Sequence, residues 1–186
     1  MLTYEIDIAG LKRELPICRV TDDVYIGAFV IFGDVELTVH CAAELLKRAP
    51  EYDYIIAPEA KSIPLLYEMA RQSGENKYFL ARKSPKLYMT GVFEVEVKSI
   101  TTEKVQKLVL DKADAEQMRG KRILIVDDVI STGESLKAVE ELVEKAGGTV
   151  AGRMFVLAEG DAQKRDDVIY LAPLPLFNAD GTPKET

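Results

Sequence analysis

The sequence predicts an α/β domain in which a parallel sheet carries helices on both faces. Three observations point there. Ile123-Leu124-Ile125-Val126 is an unbroken run of large aliphatics, as expected of a strand buried on both sides in a parallel sheet. Further apolar runs at 54–57, 78–81 and 150–157 alternate with segments of helical periodicity, the order that βαβ units produce. The aliphatic run is followed at once by two carboxylates and a small, hydroxyl-rich turn, and in open α/β sheets ligands bind beyond the carboxyl ends of the strands.

In chain order, residues 4–8 and 15–20 alternate like strands around Ala9-Gly10-Leu11-Lys12-Arg13 and predict a hairpin or paired edge strands. Residues 25–32 are a further apolar stretch. Asp34 opens a helical pattern whose apolar face reads as Val35, Val39, Ala42, Ala43 and Leu46, with Lys47-Arg48 suited to the dipole at its end. After the strand at 54–57, Pro58-Glu59-Ala60-Lys61-Ser62 is the turn before a helix from about residue 63 to 73, stopped by Gly74. The strand at 78–81 runs into Arg82-Lys83-Ser84-Pro85-Lys86. Residues 92–97 and 105–110 alternate as the arms of an antiparallel hairpin turning at Thr101-Thr102-Glu103. Beyond the central run, Leu136, Val139, Leu142, Val143 and Ala146 mark one face of a helix ended by Gly147-Gly148. Residues 150–157 and 168–171 supply the last strands, before the tail Pro173-Leu174-Pro175-Leu176-Phe177.

A chain of 186 residues suits one well-cored domain with a small appendage, a single folding unit. No stretch is apolar for long enough to span a bilayer, and Met1-Leu2-Thr3-Tyr4-Glu5 lacks the basic start and apolar core of a signal peptide, so a cytoplasmic protein is expected. Cys18 and Cys41 have no paired spacing, which argues against a disulfide framework or zinc cluster. The single histidine, His40, falls in a helical pattern and argues against His-based metal sites and a Ser-His-Asp triad. A net charge of −7 argues against broad binding to nucleic acid or membrane surfaces. An anionic ligand must therefore be held by local cations, and Arg82, Lys83 and Lys86 form such a concentration directly after a strand.

The stretch after the central strand has a chemistry of its own. A turn that opens a helix presents unpaired N–H groups and a positive dipole end, which suit a phosphate. Ser131, Thr132 and Ser135 add hydroxyl donors, and Gly133 lets the backbone come close. Asp127 and Asp128, ionised, only accept hydrogen bonds; they suit a pair of sugar hydroxyls and repel a second phosphate. A phosphate cradle beside a diol clamp implies a ribose 5-phosphate.

Val126-Asp127-Asp128-Val129-Ile130-Ser131-Thr132-Gly133-Glu134-Ser135 resembles the phosphoribosyl pyrophosphate (PRPP) signature of the type I phosphoribosyltransferases: an aliphatic strand, two acidic and two apolar residues, then a small residue and Thr-Gly-x-Ser/Thr. The resemblance implies a Rossmann-like core over residues 34–186 and a hood over the base from residues 1–33. It also implies a flexible hairpin loop at about 82–104 and a tail at about 173–186 near the base pocket. By the same resemblance Asp127 and Asp128 hold the ribose hydroxyls, and Ser131, Thr132, Gly133, Glu134 and Ser135 hold the 5′-phosphate. Asp127, Asp128 and Glu103 are the catalytic candidates, and Ile130 and Phe177 the base-binding ones. Mg²⁺ enters with PRPP and water, with Asp127 and Asp128 as candidate ligands.

Pro58-Glu59-Ala60-Lys61-Ser62 resembles the Gly-Pro-Glu-Ala-Arg-Gly pyrophosphate loop of adenine-type enzymes, with Ala57, Lys61 and Ser62 replacing its first Gly, its Arg and its last Gly. Lys61 keeps the charge without the planar fork. Glu59, Ala60 and Lys61 are thereby implied at pyrophosphate, with a cis Ala60–Lys61 peptide. Arg82-Lys83-Ser84-Pro85-Lys86-Leu87-Tyr88 resembles the Arg-Lys-x-Gly-Lys-Leu-Pro stretch of the same enzymes and implies that Arg82, Lys83 and Lys86 bind pyrophosphate, partly across a homodimer interface.

These stretches lean toward the adenine and xanthine branch, whereas hypoxanthine-guanine enzymes usually carry an Asp where Ser131 stands. The expected reaction is transfer of the 5-phosphoribosyl group from PRPP to a purine in salvage, adenine ahead of xanthine, with PRPP and a nucleobase as partners. An orotate enzyme and a PRPP-binding regulatory sensor stay open. A receiver domain of a response regulator, which also begins with a strand ending in Asp-Asp, does not fit: too little chain follows, and Asp166-Asp167 precede a strand.

Overall fold

A computed structural model describes residues 1–98 and 105–184. Strands β1 (Thr3–Ile8) and β2 (Leu11–Arg19) pair antiparallel with Ile8 opposite Leu11. Only Ala9 and Gly10 remain to reverse the chain, and both take positive φ, 54° and 81°, as a two-residue hairpin turn of this hand demands. The apolar stretch after them yields only a short strand, β3 (Tyr25–Gly27).

Helix α1 (Val35–Arg48) is capped by Asp34, which accepts from the Leu37 amide at 3.0 Å. Its buried face is Leu37, Thr38, Cys41, Ala42 and Leu45; Val35 and Val39, expected inside, are exposed. The helix carries apolar residues on two adjoining arcs, so its own sequence leaves the rotation open. Arg13 of β2 decides it by gripping the cap carboxylate at 2.6 and 3.1 Å. Strand β4 (Tyr54–Pro58) and helix α2 (Ile63–Ser73) follow, the helix ending at Gly74 with φ 76°.

Strand β5 (Phe79–Ala81) leads to the antiparallel pair β6 (Val92–Lys98) and β7 (Val105–Asp111), in register from Val92 opposite Asp111 to Lys98 opposite Val105. A short helix that the sequence pattern did not predict, α3 (Lys112–Met118), leads to the central strand. That strand, β8 (Arg122–Ile130), runs four residues past the aliphatic run, so Asp127 and Asp128 lie within it and not in the turn after it. Pairing with the next strand extends it: Asp127, Val129 and Ile130 stand opposite Phe155, Leu157 and Ala158. Helix α4 (Glu134–Lys145), strand β9 (Thr149–Glu159), a 3₁₀ turn (Gly160–Lys164), β10 (Ile169–Leu174) and β11 (Leu176–Phe177) complete the chain.

The main sheet is parallel, in the order β10-β9-β8-β4-β5. Side-chain alternation along β8 sends Leu124 and Val126 to a core shared with α1 and α2, and Ile123 and Ile125 to a second core shared with α3 and α4. Helices therefore cover both faces. A separate four-stranded sheet, in the order β1-β2-β3-β11, packs Ile6, Ile8 and Leu15 into the α1 core, and the tail joins the amino-terminal strands through β11 against β3. Among the described residues no helix is long and apolar enough to cross a membrane.

Candidate active site

The ends of β4, β8, β9 and β10 meet at one edge of the main sheet, facing the four-stranded sheet across a cleft of about 450 Å³. Lys61, Lys83, Asp127, Asp128, Ser131 and Ser135 line its main-sheet side, and residues 26–30 line the other. A smaller recess of about 120 Å³ sits over Ser131, Thr132, Gly133 and Ser135.

The acidic pair is held by a residue from another element. Ser62, fully buried, donates its hydroxyl to Asp127 Oδ1 and accepts from the Asp128 amide at 3.0 Å. Serine at the first position of a helix ordinarily caps that helix. Ser62 caps nothing in α2; its hydroxyl is spent on β8 instead. Asp128 Oδ1 accepts from the Val129 amide at 2.9 Å, while Oδ2 is buried with no hydrogen-bond partner and has the Lys61 ammonium 3.7 Å away. Burial first, and then the charge of Asp128, push the Asp127 carboxyl upward against the opposing hydrogen bond from Ser62.

At the turn after β8, Gly133 takes φ 81° and opens α4, whose first residue is Glu134. The positive φ requires glycine, and a Cβ there would stand 2.7 Å from Arg165 Nη1, the movable end of a long side chain. The amino end of a twelve-residue helix thus meets the recess with its backbone N–H groups and positive dipole end.

On the opposite side, the turn after β4 contains a cis peptide between Glu59 and Ala60. The Ala60–Lys61 bond expected to be cis is not. Glu59 is the last residue tied to the sheet, its amide donating to Ala81 O at 2.9 Å, so the chain departs at the next bond. Its carboxylate accepts from Arg82 Nε and the Lys83 amide, each at 2.6 Å. Burial works to raise the Glu59 carboxyl, and these two donors outweigh it and hold it low. Such a set of groups at one sheet edge, two acceptors, an anion-binding helix end and flanking ammoniums, can hold a phosphorylated sugar and neutralise a departing anion.

The family model described as the phosphoribosyl transferase domain matches residues 38–173. The chain belongs to the phosphoribosyltransferase family. An adenine phosphoribosyltransferase of Thermosipho africanus is 29% identical over 169 residues, 86% of this chain and 92% of that protein. An orotate phosphoribosyltransferase of Caldanaerobacter subterraneus is 29% identical over 143 residues, 76% of this chain and 64% of that protein. Among solved structures, an adenine phosphoribosyltransferase from Thermoanaerobacter pseudethanolicus matches with a TM-score of 0.63 at 27% identity, covering 77% of this chain and 84% of that one. The fold is that of these enzymes, and as a phosphoribosyltransferase the protein is a PRPP-dependent transferase.

In this phosphoribosyltransferase the cleft gathers Glu59, Ala60, Lys61, Lys83, Asp127, Asp128, Ser131 and Ser135 from three separate stretches of sequence, and the recess adds Ile130, Thr132 and Gly133. Glu134 begins α4 beside them. Arg82 and Lys86 do not line the cleft. Arg82 is committed to Glu59 and, through Nη1, to the Tyr88 hydroxyl at 2.7 Å, and Lys86 donates to Ser84 Oγ at 3.0 Å. Phe177 does not reach it either: it is fully buried, edge-on to Tyr4 at 5.0 Å, because the pairing of β11 with β3 turns it into the core. Ile130 is buried against the α4 side and touches only the recess. Glu103 lies outside the described residues.

Sequence reasoning missed Ser62 and Glu159. In the sequence Ser62 reads only as the replacement for the loop's last Gly; its bond to Asp127 spans 65 positions. Glu159 ends β9 at the same sheet edge and lines the cleft; its position at a strand's carboxyl end was the available signal.

Proposed function

We propose that this phosphoribosyltransferase transfers the 5-phosphoribosyl group of PRPP to a purine base, adenine ahead of xanthine, releasing pyrophosphate and a nucleoside monophosphate. The observation that carries this reading is the Asp127–Asp128 pair, braced by the buried Ser62, between an ammonium-lined cleft and the amino end of α4. Asp127 and Asp128 take the ribose hydroxyls, and the turn from Ser131 to Ser135 takes the 5′-phosphate. Lys61 and Lys83 face the departing pyrophosphate, whose negative charge grows as the bond to the anomeric carbon breaks. The β1-β2-β3-β11 sheet is the hood, and its segment 26–30, the end of β3 and the residues after it, covers the base. Glu103 stays the candidate for assisting the base.

Among the described residues no three His, Cys, Asp or Glu side chains gather as a metal cage. Mg²⁺ keeps several waters and favours phosphate oxygens. The orphaned Asp128 Oδ2 is the acceptor that fits it or its waters. Bound with PRPP, Mg²⁺ would neutralise pyrophosphate charge.

Arg82 and Lys86, turned from the cleft of their own chain, serve pyrophosphate in a second copy's site, which makes the working unit a homodimer. The setting is purine salvage in the cytoplasm. An orotate enzyme is the second reading, favoured by the orotate-named relative.

Mixing purified protein with PRPP, Mg²⁺ and each of adenine, xanthine, guanine, hypoxanthine, orotate and uracil, and measuring pyrophosphate, tests the proposal. Release with adenine is expected. Release with orotate alone selects the second reading, and silence with all six beside tight PRPP binding indicates a sensor.

A further inference from the structure

We infer that Glu159 is the residue that reads the base, selecting a purine with an amino group at the reading edge over one with a carbonyl there. The inference rests on the phosphoribosyl transfer proposed above.

Register places it. In the parallel sheet Ile130 stands opposite Ala158 and Leu174 opposite Glu159, so the next residues at the edge, Ser131 and Glu159, are side by side with Leu174 beyond. Ser131 begins the phosphate turn and Asp127 marks the sugar. A base attached to that sugar therefore extends across Val129 toward Glu159 and Leu174, the part of the cleft covered by residues 26–30.

Glu159 is the polar side chain at this end of the cleft whose position the fold does not explain. It precedes the 3₁₀ turn, where a carboxylate commonly caps, and makes no capping bond. It is only 8% exposed, with apolar Val129 and Leu174 among its neighbours on the cleft wall. Burial pushes its carboxyl upward, with the Ser131 hydroxyl and the charge of Lys61 opposing. A carboxyl in such a place accepts from an amino group when ionised, and when protonated it also donates to a neighbouring ring nitrogen. Adenine offers that pair of groups at one edge. Hypoxanthine, differing at the 6-position, presents a carbonyl oxygen that an ionised carboxylate repels. A site built around a hydrogen-bonding group rejects the analogue that cannot use it far more strongly than an apolar pocket rejects a change of size.

The test compares wild type, Glu159→Gln and Glu159→Leu in kcat/KM for adenine and hypoxanthine, in KM for PRPP, and in calorimetric Kd for AMP and IMP. Wild type is expected to favour adenine and AMP by about 10²-fold or more. Glu159→Leu should abolish that preference, and Glu159→Gln, whose amide donates to a carbonyl as well as accepting from an amino group, should shift it at least tenfold toward hypoxanthine and IMP. KM for PRPP should stay within about twofold, which separates reading of the base from support of Ser131. Unchanged ratios in both variants, or loss of PRPP affinity equal to loss of base affinity, would overturn the inference. The AMP and IMP affinities report on Glu159 even if wild type turns over no base, so failure of the transferase reading is visible separately. Should the leucine variant misfold, the near-isosteric glutamine variant still decides.

Discussion

The Ser62 hydroxyl donates to the Asp127 carboxylate across 65 positions of sequence, joining the turn after β4 to the end of β8. One buried oxygen thereby ties the turn proposed for pyrophosphate to the strand end proposed for the ribose. Ser62→Ala should lower PRPP affinity about tenfold, and it should cost about 1–3 kcal/mol of stability, the usual range when a buried polar group loses its partner. Ser62→Thr, which keeps the hydroxyl, should recover most of the affinity. Calorimetric titration with PRPP and denaturant melts of the three proteins check this; full affinity in the alanine variant would remove the bracing role.

Asp128 is 6% exposed, more enclosed than a carboxylate facing solvent would be, and its Oδ2 has no hydrogen-bond partner, only the Lys61 ammonium 3.7 Å away. Asp128→Asn removes a charge that opposes ionisation of Asp127. The variant should fold at least as stably as wild type and bind PRPP at least tenfold more weakly. Thermal melting beside PRPP titration separates the two effects, and a destabilised protein with normal affinity would contradict the assignment.

Gly133 combines φ 81° with a neighbour 2.7 Å from where a Cβ would stand. Gly133→Ala should cost about 1–2 kcal/mol from backbone strain alone, and should weaken binding of ribose 5-phosphate because the strained turn must shift. A melt and a ribose 5-phosphate titration measure both.

Glu68, buried in α2, accepts from Arg71 at 2.8 and 2.9 Å and from Gln72 at 2.7 Å, which hold its carboxyl down to about 2. A carboxyl depressed on folding contributes stability above its unfolded value and loses it as pH falls toward the folded one. Wild-type stability should therefore decline between about pH 4.5 and pH 2, and Glu68→Gln should flatten that part of the curve. Urea melts at stepped pH test the sign.

Much of this protein was legible in one dimension. Aliphatic runs and glycine stops placed the main strands and helices, because backbone periodicity depends on neighbours a few residues apart. Gly74 and Gly147 end helices where expected, and the acidic pair and phosphate turn could be read together because they are contiguous. Tertiary structure alone decided which arc of α1 is buried, that β11 closes the amino-terminal sheet, and that Arg82 is consumed by Glu59. It also decided that Ser62 serves Asp127 and that Glu159 stands beside Ser131. Each of these is a meeting between residues tens of positions apart, set by sheet register and by competition among partners for one charge or one hydroxyl, and no local pattern encodes the winner.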